Sequence, residues 1–288
     1  MTGLILKAVG GLYTVESPGG IITCKARGIF RKHGISPCTG DRVTIQDGCI
    51  TEIAPRRNAL IRPPLANLDQ LCFVISACEP EPNLLLLDRF LAVCVYLQIE
   101  PLLIWTKLDL ADAAIWMDTY RAAGFPSIAV KYADSEGLQT VQDALAGKIS
   151  AFTGNSGVGK STLLNAIDHR LQLATGEISQ KLGRGRHTTR HAELYTLDNG
   201  GKVADTPGFS TFETDSYVRI PAEELADCFP ELRLPGEACR YADCMHLHEP
   251  HCKVRRAVED GRIPQSRYES YVTMLEEAKK YKAWEQKK

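Results

Sequence analysis

The chain opens with brief runs in which apolar and polar positions alternate. Leu12-Tyr13-Thr14-Val15, Ile21-Ile22-Thr23-Cys24-Lys25-Ala26 and Arg42-Val43-Thr44-Ile45 are separated by turn signals at Pro18-Gly19-Gly20, Pro37-Cys38-Thr39-Gly40-Asp41 and Asp47-Gly48. Regular short strands of this kind predict a small β-barrel over residues 1–62, of OB or SH3-like type equally, with residues 1–9 as its first strand. Pro63-Pro64 marks its end. Beyond it the pattern changes. Leu102-Leu103-Ile104-Trp105, Ile149-Ser150-Ala151-Phe152-Thr153 and Val203-Ala204 are continuous apolar stretches, and helical spacing follows the first two. Such runs predict buried strands of an α/β domain over 63–222. In the tail, Tyr268, Tyr271, Leu275 and Ala278 fall on one face of a helix predicted over 266–286, with lysines concentrated near its end.

The second apolar strand runs into Gly154-Asn155-Ser156-Gly157-Val158-Gly159-Lys160-Ser161, and helical Thr162-Leu163-Leu164-Asn165-Ala166-Ile167 follows. Every fixed position of the phosphate-binding pattern G-x-x-x-x-G-K-[ST] is present between a strand and a helix. Glycines let the backbone turn its N–H groups toward an anion, and the helix adds the positive end of its dipole. Lys160 is expected to reach the β- and γ-phosphates and Ser161 to ligate Mg²⁺. The contact segment runs from Gly154 through Thr162.

Two further motifs select the nucleotide. Val203-Ala204-Asp205-Thr206-Pro207-Gly208 reads as a strand ending in D-x-x-G, with Asp205 holding Mg²⁺ through water and the Gly208 N–H sensing the γ-phosphate. Thr106-Lys107-Leu108-Asp109 fits [NT]-K-x-D: Asp109 would read the N–H edge that guanine has and adenine lacks, and the Lys107 stem would lie along the ring. Thr106 stands where Asn is commoner. This base-reading motif precedes the phosphate loop, so the order of parts is circularly permuted, which closely spaced domain termini make tolerable.

The expected reaction is in-line attack of water on the γ-phosphate of GTP, giving GDP and phosphate. After D-x-x-G stands Phe209, where a Gln would orient the water, so the orienting group must come from elsewhere. His187, in the glycine- and arginine-rich stretch 183–190, is the candidate; Thr188 or Thr189 would cap Mg²⁺. A competing reading makes GTP a stabiliser of a non-catalytic RNA-binding scaffold.

Residues 223–288 contain Cys239-x4-Cys244-x-His246-x5-Cys252, three thiolates and an imidazole suited to one tetrahedral structural Zn²⁺. His248 and His251 leave the imidazole open by spacing. The remaining cysteines of the ten sit mostly singly in apolar surroundings, which points to a reduced, cytoplasmic protein. No apolar stretch approaches a membrane span, and no sustained heptads appear, so a monomer is expected. Net charge is −1, yet residues 1–62 carry nine Lys/Arg against four Asp/Glu, and 251–288 carry ten against six. Basic ends flanking an acidic centre suggest contact with a polyanion, with Lys25, Arg27, Phe30, Arg31 and Lys32 as barrel candidates.

Together these residues resemble the RsgA (YjeQ/YloQ) family over nearly the whole chain. The resemblance rests on Asn67-Leu68-Asp69-Gln70, Leu87-Asp88-Arg89-Phe90-Leu91, the three nucleotide motifs, Gly183-Arg184-Gly185-Arg186-His187-Thr188-Thr189 and the Cys/His cluster. It implies an OB barrel, a permuted GTPase domain and a zinc-binding tail in which His246 is the imidazole ligand. It also implies a partner, the 30S ribosomal subunit with its 16S rRNA, late in assembly. One departure stands out: where the second base-contacting loop, often S-A-K, is expected, residues 130–137 read Val130-Lys131-Tyr132-Ala133-Asp134-Ser135-Glu136-Gly137, and no contact is assigned there.

Overall fold

The computed structural model describes residues 1–28, 30, 34–61, 63–132, 135–171, 192–206 and 218–280. The alternating runs at the start form β1 (Thr2–Val9), β2 (Leu12–Ser17), β3 (Gly20–Ala26), β4 (Arg42–Gln46) and β5 (Cys49–Ile53). These close into a barrel of order β1-β2-β3-β5-β4, antiparallel except for the β3–β5 pair, which is an OB-type arrangement. Alternation puts Ile5, Val15, Cys24, Val43, Ile45 and Ile50 inside. Phe30, a candidate for an outward-facing nucleic-acid surface, is half-buried and packs against this core, whereas Lys25 and Arg27 are exposed. Arg31 and Lys32 lie outside the described residues.

A short ribbon, β6 (Ala59–Leu60) with β7 (Leu65–Ala66), joins barrel to sheet. Here Asn67, at φ +57°, accepts from the Arg57 N–H through Oδ1 and donates through Nδ2 to Gly40 O, each at 2.9 Å. Gly40 has φ +90°, and a Cβ there would lie 2.0 Å from Ala66 O, so only glycine lets the barrel turn seat on the ribbon. Asp69 continues the clamp: one carboxylate oxygen meets Arg57, the other accepts from the Ile149 N–H. Asn67 and Asp69 therefore hold the barrel turn, ribbon and sheet together.

The sheet has order β10-β9-β8-β11-β13-β12: β10 (Ser127–Ala129), β9 (Glu100–Thr106), β8 (Gln70–Ser76), β11 (Ile149–Thr153), β13 (Lys202–Asp205) and β12 (Leu194–Thr196). All neighbours are parallel except β12–β13. Every residue of β8 and of β11 is buried, as expected of central parallel strands covered on both faces. The covering helices are α1 (Leu84–Tyr96), α2 (Ala114–Ala122), α3 (Glu136–Leu145) and α4 (Lys160–Ile167). Asn83 caps α1 by accepting from the Leu86 N–H at 3.0 Å. The chain runs outward through β8, β9 and β10, then returns to β11 on the other side of β8. The carboxyl end between β8 and β11 is thus a topological switch point, where ligands of such sheets bind.

The tail forms 3₁₀ turns at Ala226–Cys228 and Pro230–Leu232, then α5 (Lys253–Glu259) and α6 (Gln265–Lys280). Residues 281–286 of the helix expected from the sequence lie outside the described residues. Phe229, Tyr271 and Leu275 pack with Ala92 of α1, so the tail has its own core and shares a wall with the sheet domain. Among the described residues no helix is long and apolar enough to cross a membrane. All ten cysteines are free thiols.

Candidate active site

The phosphate-loop residues sit where β11 ends at the switch point. Gly157 has φ +85° and Gly159 φ +92°, conformations glycine adopts without steric cost. At Gly154 a Cβ would lie 2.5 Å from Val74 O, so the loop turns against the end of β8. The Gly159 carbonyl accepts from the Leu163 N–H at 2.9 Å and begins α4. Asn155 is half-buried, Ser156 and Thr162 are exposed, and Val158 is buried beneath the loop. Lys160, the first residue of α4, ion-pairs with Asp205 at the end of β13. Ser161 is on the same first turn. The Ser161 hydroxyl and the Asp205 carboxylate are the hard oxygen donors Mg²⁺ prefers.

Thr106 ends β9 and is fully buried. Its hydroxyl has one proton to donate, with Val158 O at 2.7 Å and Ile75 O at 3.2 Å as acceptors, the nearer being in the phosphate loop. The Thr106–Asp109 segment and the glycine-rich loop after β11 are therefore bonded directly, although 52 positions separate Thr106 from Val158. Lys107 follows at φ +58°, its ammonium donating to Glu79 O, while Asp109 is exposed beyond it. Carboxyl ends of β9, β11 and β13 thus present Thr106–Asp109, the phosphate loop and Asp205 along one edge. His187, Thr188, Thr189 and Gly208 lie outside the described residues.

Sequence reasoning assigned nothing to Tyr132, which follows β10 and is 44% exposed. Its hydroxyl donates to Gly159 O at 3.5 Å. The signal available was an aromatic residue within 130–137, where the second base-contacting loop is expected, but residue type alone gave no direction for the ring.

Far from this edge, Cys239, Cys244, His246 and Cys252 bring their donor atoms within 4.8 Å of one another. Nδ1 of His246 is 3.4 Å from the sulfurs of Cys244 and Cys252 and 3.7 Å from that of Cys239. Three soft sulfurs and one imidazole nitrogen converging on one point fit zinc. His248 and His251 are exposed and outside the group. Glu249 shapes the loop: its carboxylate accepts from the N–H groups of Met245, Leu247 and His248 at 2.8–3.0 Å. Burial opposes its charge, but these donors prevail and hold its carboxyl near about 2. Tyr268 and Tyr271 of α6 donate to His246 O and Met245 O, fastening the cluster to the last helix.

Residues 53–215 match the family model described as RsgA GTPase, and residues 2–50 that of the RsgA N-terminal domain. The chain is 44% identical to the small ribosomal subunit biogenesis GTPase RsgA of Geobacillus kaustophilus, over 97% of this chain and 98% of that protein. It is also 44% identical to the protein of that description from Caldanaerobacter subterraneus, over 96% and 95%. Among solved structures, YjeQ from Thermotoga maritima superposes with TM-score 0.79 at 33% identity, covering 98% of this chain and 99% of that one. YloQ, described as a circularly permuted GTPase, gives TM-score 0.79 at 38% identity, covering 98% and 96%.

Proposed function

This chain belongs to the RsgA family of GTPases, and from that premise we propose that it acts on the small ribosomal subunit late in assembly, hydrolysing GTP to time maturation and its own release. It is a P-loop GTP hydrolase by family. The observation that carries the reading is the Thr106 hydroxyl bond to Val158 O, which sets the guanine-reading segment and the phosphate loop as one unit.

In the proposed mechanism, the 154–162 backbone cradles the β- and γ-phosphates and Lys160 leaves Asp205 to meet them. Mg²⁺, held from the protein side by Ser161 and Asp205, would neutralise charge on the transferring phosphoryl group. Asp109 selects guanine, Gly208 senses the γ-phosphate, and Thr188 or Thr189 closes over the metal side. His187 orients the attacking water in place of the glutamine that Phe209 replaces. We assign residues 1–62 to rRNA contact, 63–222 to the nucleotide cycle and 223–288 to a zinc-stabilised platform, in a cytoplasmic monomer. GTP ordering the 183–190 stretch and hydrolysis releasing it would supply the switch.

The test is GTP turnover with and without purified 30S subunits, with 50S subunits and ATP as controls. Strong stimulation by 30S alone supports the proposal. Tight GTP binding without stimulation instead supports the scaffold reading, to which Phe209 lends its weight.

A further inference from the structure

Among the described residues, Tyr132 presents an exposed aromatic ring at the nucleotide edge to which no role is attached. Its position follows from register. In the β10–β9 pair Ala129 lies opposite Trp105, and the Val130 N–H donates to Trp105 O at 2.8 Å. Val130 therefore continues alongside Thr106, and Tyr132, two residues on, stands past the carboxyl end of β10. From there the side chain reaches the phosphate loop. A Cβ on Gly159 would lie 3.6 Å from the Tyr132 hydroxyl and 4.0 Å from the Thr106 hydroxyl, so both flank Gly159, on the two successive loop carbonyls of Val158 and Gly159.

A nucleotide read by Asp109 and held by 154–162 must pass its base and sugar across this same span. We propose that Tyr132 is a wall of the guanine slot, its ring packing against the bound base and its hydroxyl steadied on Gly159 O. The inference rests on the GTPase reading above. An aromatic face suits this place because base–aromatic stacking is indifferent to which purine is present. Asp109 then supplies the choice of guanine, and Tyr132 supplies affinity. At 44% exposure the ring contributes little to the core, which leaves it free to pack on a ligand.

The experiment titrates the full chain with GDP, ADP and inorganic triphosphate, in wild type, Tyr132→Ala and Tyr132→Phe, by calorimetry. The proposal expects Tyr132→Ala to raise the Kd for GDP about tenfold, leave the affinity for triphosphate unchanged and preserve the preference for GDP over ADP. Tyr132→Phe keeps near wild-type affinity, because the ring remains. Equal weakening of GDP and triphosphate by Tyr132→Ala would mean that the residue acts through the phosphate loop, and would overturn the proposal. So would Phe behaving as Ala, or an unchanged Kd for GDP. A wild type that binds triphosphate but shows no preference for GDP would instead overturn the guanine reading itself, and the slot with it.

Discussion

Arg267 and Asp88, 179 positions apart in the chain, form an ion pair with Nη1 2.5 Å from Oδ1, and each side chain is 1% exposed. The same guanidinium donates through Nε to Glu231 at 2.6 Å, and its carbon lies 4.7 Å from the Phe229 ring centre and 5.2 Å from that of Phe125. Tyr120 completes the group by donating to Asp88 at 2.8 Å. α6 of the tail, α1 and α2 of the sheet domain and the 230–232 turn therefore meet at one buried cation. A planar, permanently charged fork suits this place, whereas a lysine presents a single ammonium. The half-buried pair between Arg89 and Glu277 reinforces the same α1–α6 contact.

Removing one member of this group strands the others in a low-dielectric interior. Asp88→Ala is expected to destabilise the chain by about 3–5 kcal/mol, because the Arg267 charge loses a buried partner. Arg267→Ala should do the same by leaving two carboxylates facing each other. Urea unfolding followed by circular dichroism gives the measurement. A change below about 1 kcal/mol in either variant, the range of an exposed pair, would show that solvent reaches the group.

Thr106→Val keeps the shape of the β9 end and deletes its hydroxyl. Val158 O then loses its donor inside the loop, an unmet buried acceptor costing about 1–3 kcal/mol. Because that loop is the proposed phosphate cradle, GTP affinity should fall roughly tenfold, alongside this loss of stability. Thr106→Ser keeps a donor and should restore most of the affinity. Equilibrium binding of a fluorescent GTP analogue reads both variants, and identical affinities for Val and Ser would separate the Thr106 bond from nucleotide binding.

What the sequence revealed follows from how locally each feature is encoded. A phosphate loop needs fixed glycines, Lys160 and Ser161 within eight positions, and a tetrahedral metal needs four soft donors close together, so both stand out without a structure. Strand alternation exposed the barrel but left OB and SH3-like closure open, because strand order is a long-range property; the parallel β3–β5 pair decides it. Arg267 was illegible for the opposite reason. An arginine on an amphipathic helix reads as solvent-facing, and its partners are 36 and 179 positions away. Asp88 and Asn67 entered the sequence analysis only through family likeness, with no physical role; each turns out to fasten separate parts of the fold. Phe30 shows the limit of residue type: an aromatic among basic residues suggests a stacking surface, and the structure adds that its half-buried ring also packs on the barrel core.

Metal content tests the tail. One zinc per chain is expected, and Cys244→Ser should reduce it sharply. Glu249→Gln leaves all four donors in place but weakens the acceptor on which three N–H groups of the loop converge. Disturbing such a support typically costs 10–100-fold in metal affinity, so a loss of at least about tenfold is expected in competition with a zinc chelator. GTP affinity should be unchanged in Glu249→Gln, since the nucleotide edge lies on the sheet. Full zinc affinity in that variant would show that the thiol and imidazole positions are fixed without the carboxylate.

His187→Ala examines the proposed chemistry. Phe209 cannot hydrogen-bond through its side chain, so the water needs another oriented acceptor, and His187 is the candidate from the stretch between phosphate loop and D-x-x-G. A positioned acid or base contributes about 10²–10⁴-fold to a transition state, and a water-orienting role acts on turnover rather than on ground-state binding. The expected result is therefore a loss of 30S-stimulated kcat of at least about a hundredfold, with the KM for GTP and the affinity for 30S subunits close to wild type. His187→Gln should recover part of the rate, because an amide can also hold a water. If His187→Ala instead turns over at the wild-type rate once 30S subunits are saturating, and only the affinity for the subunit has fallen, His187 contacts the ribosome and the orienting group lies elsewhere in the complex.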